Sequence, residues 1–88
     1  MNQEKVTVTR YLHIGREYKH FKGKTYYPQK VVRNADNPEQ RMVVYFDPNA
    51  GEWWVRSLDE FMSEVDHDKY PYVKQKYRFE CAEDEEQE

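Results

Sequence analysis

The run Trp53-Trp54-Val55-Arg56 carries the sharpest chemical signal in the sequence. In an extended strand, alternation sets Trp54 and Arg56 on one face and Trp53 and Val55 on the other. An indole plane beside a guanidinium can stack a ring and hold a phosphate or carboxylate. The plainer reading packs both indoles in the core or under a helix, with Arg56 paired to Asp59 or Asp36. One core cannot bury both faces unless a helix covers one of them, so one face is expected to present the indole beside the cation. His20 is the titratable residue of most interest. In Tyr18-Lys19-His20-Phe21 it shares a face with Tyr18, either as a half-buried ring bonded to a carbonyl or as a donor and pH-sensitive contact to a ligand.

Other chemistries find less support. His13, His20 and His67 lie far apart, no pair has a metal-ligand spacing, and Cys81 stands alone. No metal or cofactor is expected. Ser57 reads as a helix cap, and nothing near Cys81 would activate its thiol. Asp59, Glu60 and Glu64 fit the solvated face of a helix. These residues give no case for an enzyme.

The elements that must position this chemistry are mostly β. The chain has 88 residues, 38% hydrophobic, 35% charged and 16% aromatic. A chain of this length buries about 60–65% of its unfolded surface and makes one modest core. Eight Tyr, four Phe, two Trp and nine Val stand against two Leu, one Ile and three Ala, a bias toward pleated surfaces. Residues 1–33 carry a net charge of +6, residues 34–82 a net of −4, and Glu83 to Glu88 five acids and no base. The formal −3 therefore comes from the tail, and it does not argue against an anionic ligand for the body.

Lys5 to Tyr11 alternates as a strand. Tyr18 to Phe21 follows as a short one, stopped at Lys22-Gly23-Lys24. Thr25 to Val32 resumes, with Pro28 demanding an edge position, a bulge or a split. Arg33 to Gln40 reads as a polar loop and Met42 to Phe46 as a central strand. Asp47 to Gly51 makes a hairpin loop to a strand over Glu52 to Arg56. Ser57 and Glu60 fit a capping box, and Leu58, Phe61, Met62 and Val65 form one apolar stripe, predicting a helix from Ser57 to Val65. Tyr72 to Phe79 reads as a last strand. From Cys81 onward, a run of like charge is expected to be disordered. Five or six short strands and one helix suggest a small antiparallel barrel, whose closure removes exposed edges.

Tyr18-Lys19-His20-Phe21-Lys22-Gly23 resembles the Tyr-Arg-His-Tyr-Lys-Gly-like block of a bacterial domain-of-unknown-function family, numbered 1653. The strand Met42-Val43-Val44-Tyr45 and the block Trp54-Val55-Arg56-Ser57-Leu58 with Phe61 match that family's further blocks in order and spacing. The likeness runs from about Gly15 to Phe79. It departs at Arg33-Asn34-Ala35-Asp36-Asn37, where relatives often carry Arg-His-Ser-Glu-Thr, and at Ser57, where they carry Pro. The resemblance implies an SH3-like barrel and no established activity.

The expectation is thus a mostly β, small antiparallel SH3-like barrel over 15–80, with one short α-helix. An N-terminal extension, 1–14, supplies an extra strand, and 81–88 form a disordered acidic tail. The expected function is a non-catalytic binding module in the cytoplasm of a bacterial or phage system. Its proposed surface gathers Tyr18, His20, Lys22, Arg33, Tyr45, Trp54 and Arg56. The partner would be a small anionic, aromatic or nucleotide-like ligand, with a homo-oligomer offering a site where two subunits meet. The alternatives are a protein- or peptide-interaction module and, less favoured, a binder of single-stranded nucleic acid. No membrane partner is expected, since no stretch reaches the roughly 20 apolar residues of a span.

Overall fold

A computed structural model describes residues 10–82. Lys5 to Thr9 and Glu83 to Glu88 lie outside the described residues, and with them most of the expected first strand and acidic tail. Arg10 to His13 are not in a strand. The elements are β1 (Tyr18–His20), β2 (Thr25–Asn34), β3 (Asn37–Asp47), β4 (Glu52–Ser57), α1 (Leu58–Phe61) and β5 (Phe79–Cys81). The strands make one antiparallel sheet in the order β4-β3-β2-β1-β5.

The fold is mostly β, as its composition predicts, but the barrel does not close. β4 and β5 are the two ends of the sheet and do not pair with each other. β1 and β5 hold only three residues each, too few to carry a ladder around to β4. The ends meet through side chains instead, with the Arg56 guanidinium 5.9 Å from the centre of the Phe79 ring.

Alternation decides which face becomes the core. Val43, Tyr45 and Asp47 of β3 are buried, while Met42, Val44 and Phe46 on the opposite face are half-buried. Tyr18, Phe79 and Cys81 line the same concave face, and Phe61 of α1 drops onto them. Phe61 stacks on Phe79 with centroids 4.1 Å apart and planes 7° apart, and meets Tyr18 and Tyr45 edge-on. An aromatic cluster of this kind gives a small chain a large apolar burial per residue.

Pro28 sits in an interior strand, and a bulge accommodates it. Pro28 pairs with Tyr45 and Lys30 with Val44, leaving Gln29 out of the ladder. Its carbonyl accepts from Gly15 N–H at 2.7 Å, beyond the end of the β1 ladder, so its missing donor costs no sheet bond. The expected loop from Arg33 to Gln40 is the tip of a long β2–β3 hairpin. Its polar side chains close it, with Asn34 Oδ1 accepting from Asp36 N–H at 2.9 Å and Arg33 donating to the Pro38 carbonyl at 2.9 Å.

Three expected boundaries are corrected. The helix has four residues, not nine. Ser57 Oγ caps it from Glu60 N–H at 3.1 Å. Beyond it, Arg78 N–H donates to Ser63 and Val65 N–H to Lys76, while Glu64 bridges Tyr77. Strand-like pairing thus takes the backbone that a second helical turn would need, and so short a helix has little strength to resist it. The last strand starts at Phe79 rather than Tyr72, because side chains occupy the backbone before it. The Glu80 carboxylate accepts from Lys76 and Tyr77 N–H at 3.1 and 3.0 Å, and Gln75 Nε2 donates to the Lys19 and Tyr77 carbonyls. Cys81 belongs to β5 and not to a disordered tail. It is 4% exposed and lies opposite Tyr18, where its small apolar side chain completes the core. No helix among the described residues is long and apolar enough to cross a membrane.

Candidate functional site

A cleft of about 380 Å³ opens between the two ends of the sheet. Three segments build it. The β1–β2 hairpin supplies His20, Phe21, Lys22 and Tyr26; the end of β4 supplies Arg56; the segment before β5 supplies Asp66, Lys69, Tyr70 and Arg78.

The hairpin is fixed by its glycine. Gly23, at φ +107, lets its N–H reach the His20 carbonyl at 2.8 Å while His20 N–H donates to Lys24 at 2.8 Å. The Lys22 N–H then points at His20 Nδ1, 3.1 Å away. Because Nδ1 accepts that bond, the neutral ring carries its proton on Nε2 and can donate from there. The opposite wall is a turn organised by Asp66, whose carboxylate accepts from Asp68 and Lys69 N–H at 3.1 and 3.3 Å. That turn sets Tyr70 against Phe21, centroids 5.0 Å apart, and Phe21 in turn stacks on His20 at 4.5 Å. Lys22 and Lys69 each hold an ammonium 5.5 Å from the centre of the Tyr70 ring.

The electrostatics are one-sided. Lys22, Arg56, Lys69 and Arg78 face the cleft, and among the described residues lining it Asp66 is the one carboxylate. Arg56 is partly engaged, donating from Nε to the Tyr45 hydroxyl at 3.3 Å and lying 3.7 Å from a Glu60 carboxylate oxygen. Arg78 Nε is shut away from solvent with no hydrogen-bond partner among the described residues, a costly state for a charged donor. His20 records the same field. Burial first, then Arg56, Lys22 and Arg78, hold its pKa down from 6.5 to about 4, so the ring is neutral at pH 7. Burial, and then Asp47 and Tyr45, push the Tyr26 phenol up. Its hydroxyl therefore stays protonated.

Of the residues singled out from sequence, His20, Lys22 and Arg56 come together here. Tyr18 and Tyr45 lie beneath them in the core, and Tyr45 acts on the cleft only by holding Arg56. Trp54 shares the Arg56 face, as alternation requires, but does not line the cleft. Arg33 sits at the β2–β3 tip, away from it. Phe21, Lys69 and Arg78 join His20, Lys22 and Arg56, and so do Tyr26 and Tyr70, two of the tyrosines that could line a groove; charge and aromatic content alone do not assign any of the five to a site. Among the described residues no three His, Cys, Asp or Glu gather as a metal site would require.

A model of the family described as "Protein of unknown function (DUF1653)" matches residues 16–81, which takes in every segment that builds the cleft. No curated protein and no solved structure matches the chain.

Proposed function

The chain belongs to the DUF1653 family, which carries no assigned activity, and from the cleft we propose that it is a non-catalytic binding module for a small, ring-bearing anion such as a nucleotide. One observation carries this reading. Among the described residues, four cations, Lys22, Arg56, Lys69 and Arg78, line a cleft whose one carboxylate, Asp66, is already bonded to its own turn. A phosphate or carboxylate there would accept from Arg78 and Arg56 in charge-assisted bonds, the stronger kind. His20, with Nδ1 already accepting from Lys22 N–H, would add a neutral donor at Nε2. The flat walls of Phe21 and Tyr70 suit a ring lying against them, with about 1–3 kcal/mol expected from such stacking. The volume falls near the lower end of small-molecule sites, which span about 300–1,000 Å³. We take the setting to be the cytoplasm of a bacterium or its phage, where a lone buried thiol such as Cys81 stays reduced.

Isothermal titration with AMP, adenosine and pyrophosphate tests the reading. AMP should bind most tightly, pyrophosphate should bind without it, and adenosine should be weakest. Binding should fall as salt rises, since the contacts are partly exposed. Arg78→Gln should weaken AMP by about tenfold or more, the loss of one charge-assisted bond. Equal binding of AMP by the wild type and by folded Arg56→Gln and Arg78→Gln variants would overturn it, as would no binding of any anion.

A further inference from the structure

The strand β4 poses a question the cleft does not answer. It is an end of the sheet, it pairs with β3 without a register shift, and no other described strand covers its outer edge. Natural edge strands are usually guarded by lysine, proline, a bulge or a cover. β4 has no lysine, proline or bulge between Glu52 and Ser57, no described strand covers it, and its two charges, Glu52 and Arg56, are of opposite sign. It offers Trp53, Trp54 and Val55 in succession, 58%, 50% and 55% exposed. On the convex face the apolar surface continues inward, with Phe46 beside Trp53 at 4.7 Å and Val44 opposite Val55.

The sequence of that edge is complementary to itself. Read antiparallel against a second copy and centred on Trp54, Glu52 meets Arg56, Trp53 meets Val55, and Trp54 meets Trp54. Every position finds a fitting partner, charge with charge and apolar with apolar. Sliding the register by two residues either way removes the charge pair. A parallel, in-register arrangement would set Glu52 against Glu52 and Arg56 against Arg56, which repel. Arg56 has donors left for this contact, since it carries five N–H groups and spends Nε on Tyr45 and one nitrogen near Glu60.

We propose that β4 is a dimerisation edge, joining two copies of this chain antiparallel about a two-fold axis at Trp54. The occupant is a second copy because the charge order Glu52…Arg56 matches its own reverse. A dimer of this kind is isologous and closed, so the edge is consumed rather than left to propagate.

Sedimentation equilibrium on the full chain tests it. The wild type should show a concentration-dependent monomer–dimer equilibrium. Val55→Lys should raise the dissociation constant by at least about tenfold. Glu52→Arg should also weaken the dimer, and adding Arg56→Glu should restore it, a rescue that a merely damaged surface would not show. All three sites are at the surface or half-exposed, and circular dichroism confirms that the variants fold. Trp54→Cys should form a disulfide-linked dimer on mild oxidation, while Cys81, buried, stays out of the reaction. A wild type that remains monomeric overturns the proposal, as does a dimer indifferent to Val55→Lys or a Trp54→Cys chain that does not cross-link. A monomer whose β4 amides are protected from exchange until residues 1–9 are removed would assign the edge to this chain's own N-terminal segment, and equally overturns it.

Discussion

His20 shows how single residues report the cleft. Its pKa is held near 4 by burial and by Arg56, Lys22 and Arg78. In the unfolded chain it would titrate at about 6.5. Between those values the unfolded state binds a proton that the folded state does not, so stability falls as pH drops from about 6.5 to about 4, and the loss is complete below. Thermal melts across that window should show this decline, and His20→Gln should flatten it. A decline unchanged in the variant would assign the effect to other groups. An anion in the cleft should also raise the His20 titration midpoint, read from its ring proton resonances, by offsetting the three cations. At this scale the sequence was half legible. Strand period sets the faces of His20 and Arg56, and charge beside the turn at Gly23 points to Lys22. Alternation also puts Tyr18 and Tyr45 on the face of the site, but that face is the core, and a period of two cannot say which side the helix will cover. Lys69 and Tyr70 come from a loop without any period, and Arg78 from an expected strand that does not form, where the turn at Asp66 and the side chains of Gln75 and Glu80 set the path.

Elements hold the site in place, and α1 is the one most open to test. Ser57→Ala removes the bond to Glu60 N–H and should cost about 1 kcal/mol in chemical denaturation. Phe61→Ala removes the ring stacked on Phe79 and edge-on to Tyr18 and Tyr45, and should cost about 3–5 kcal/mol. In a domain this small that approaches the whole stability, so the variant should be largely unfolded at room temperature. A Phe61→Ala chain with an unchanged denaturation midpoint would contradict the aromatic core. The cap was readable from Ser57 and Glu60, but the length of the helix was not. Met62 and Val65 continue the apolar stripe, yet Val65 is buried from a bridge to the 76–78 segment rather than from a second turn. Pro28 announced an irregularity, and the bulge at Gln29 is the form it takes. The acids after Cys81 hide that it is the last core residue.

The whole molecule is a sheet that falls short of closure, and that gap is its most useful feature. A fully paired barrel would bond β4 to β5, whereas here the two end strands stay apart and His20, Arg56 and Arg78 line a common cleft. The strand-rich architecture and the basic N-terminal third were legible from composition, whereas the open seam was not, because sequence patterning specifies strands better than which two will be left unpaired. Among the described strands the same openness leaves β4 without an outer neighbour, so the cleft and the proposed dimer contact both follow from one missing ladder. The most direct test of the central claim is an amide chemical-shift map of the isotopically labelled chain titrated with AMP at neutral pH. Saturable shifts are expected at His20 to Lys22, Tyr26, Arg56, Lys69, Tyr70 and Arg78, abolished by Arg78→Gln. Shifts confined to the β2–β3 tip around Arg33, or none at all, would contradict it.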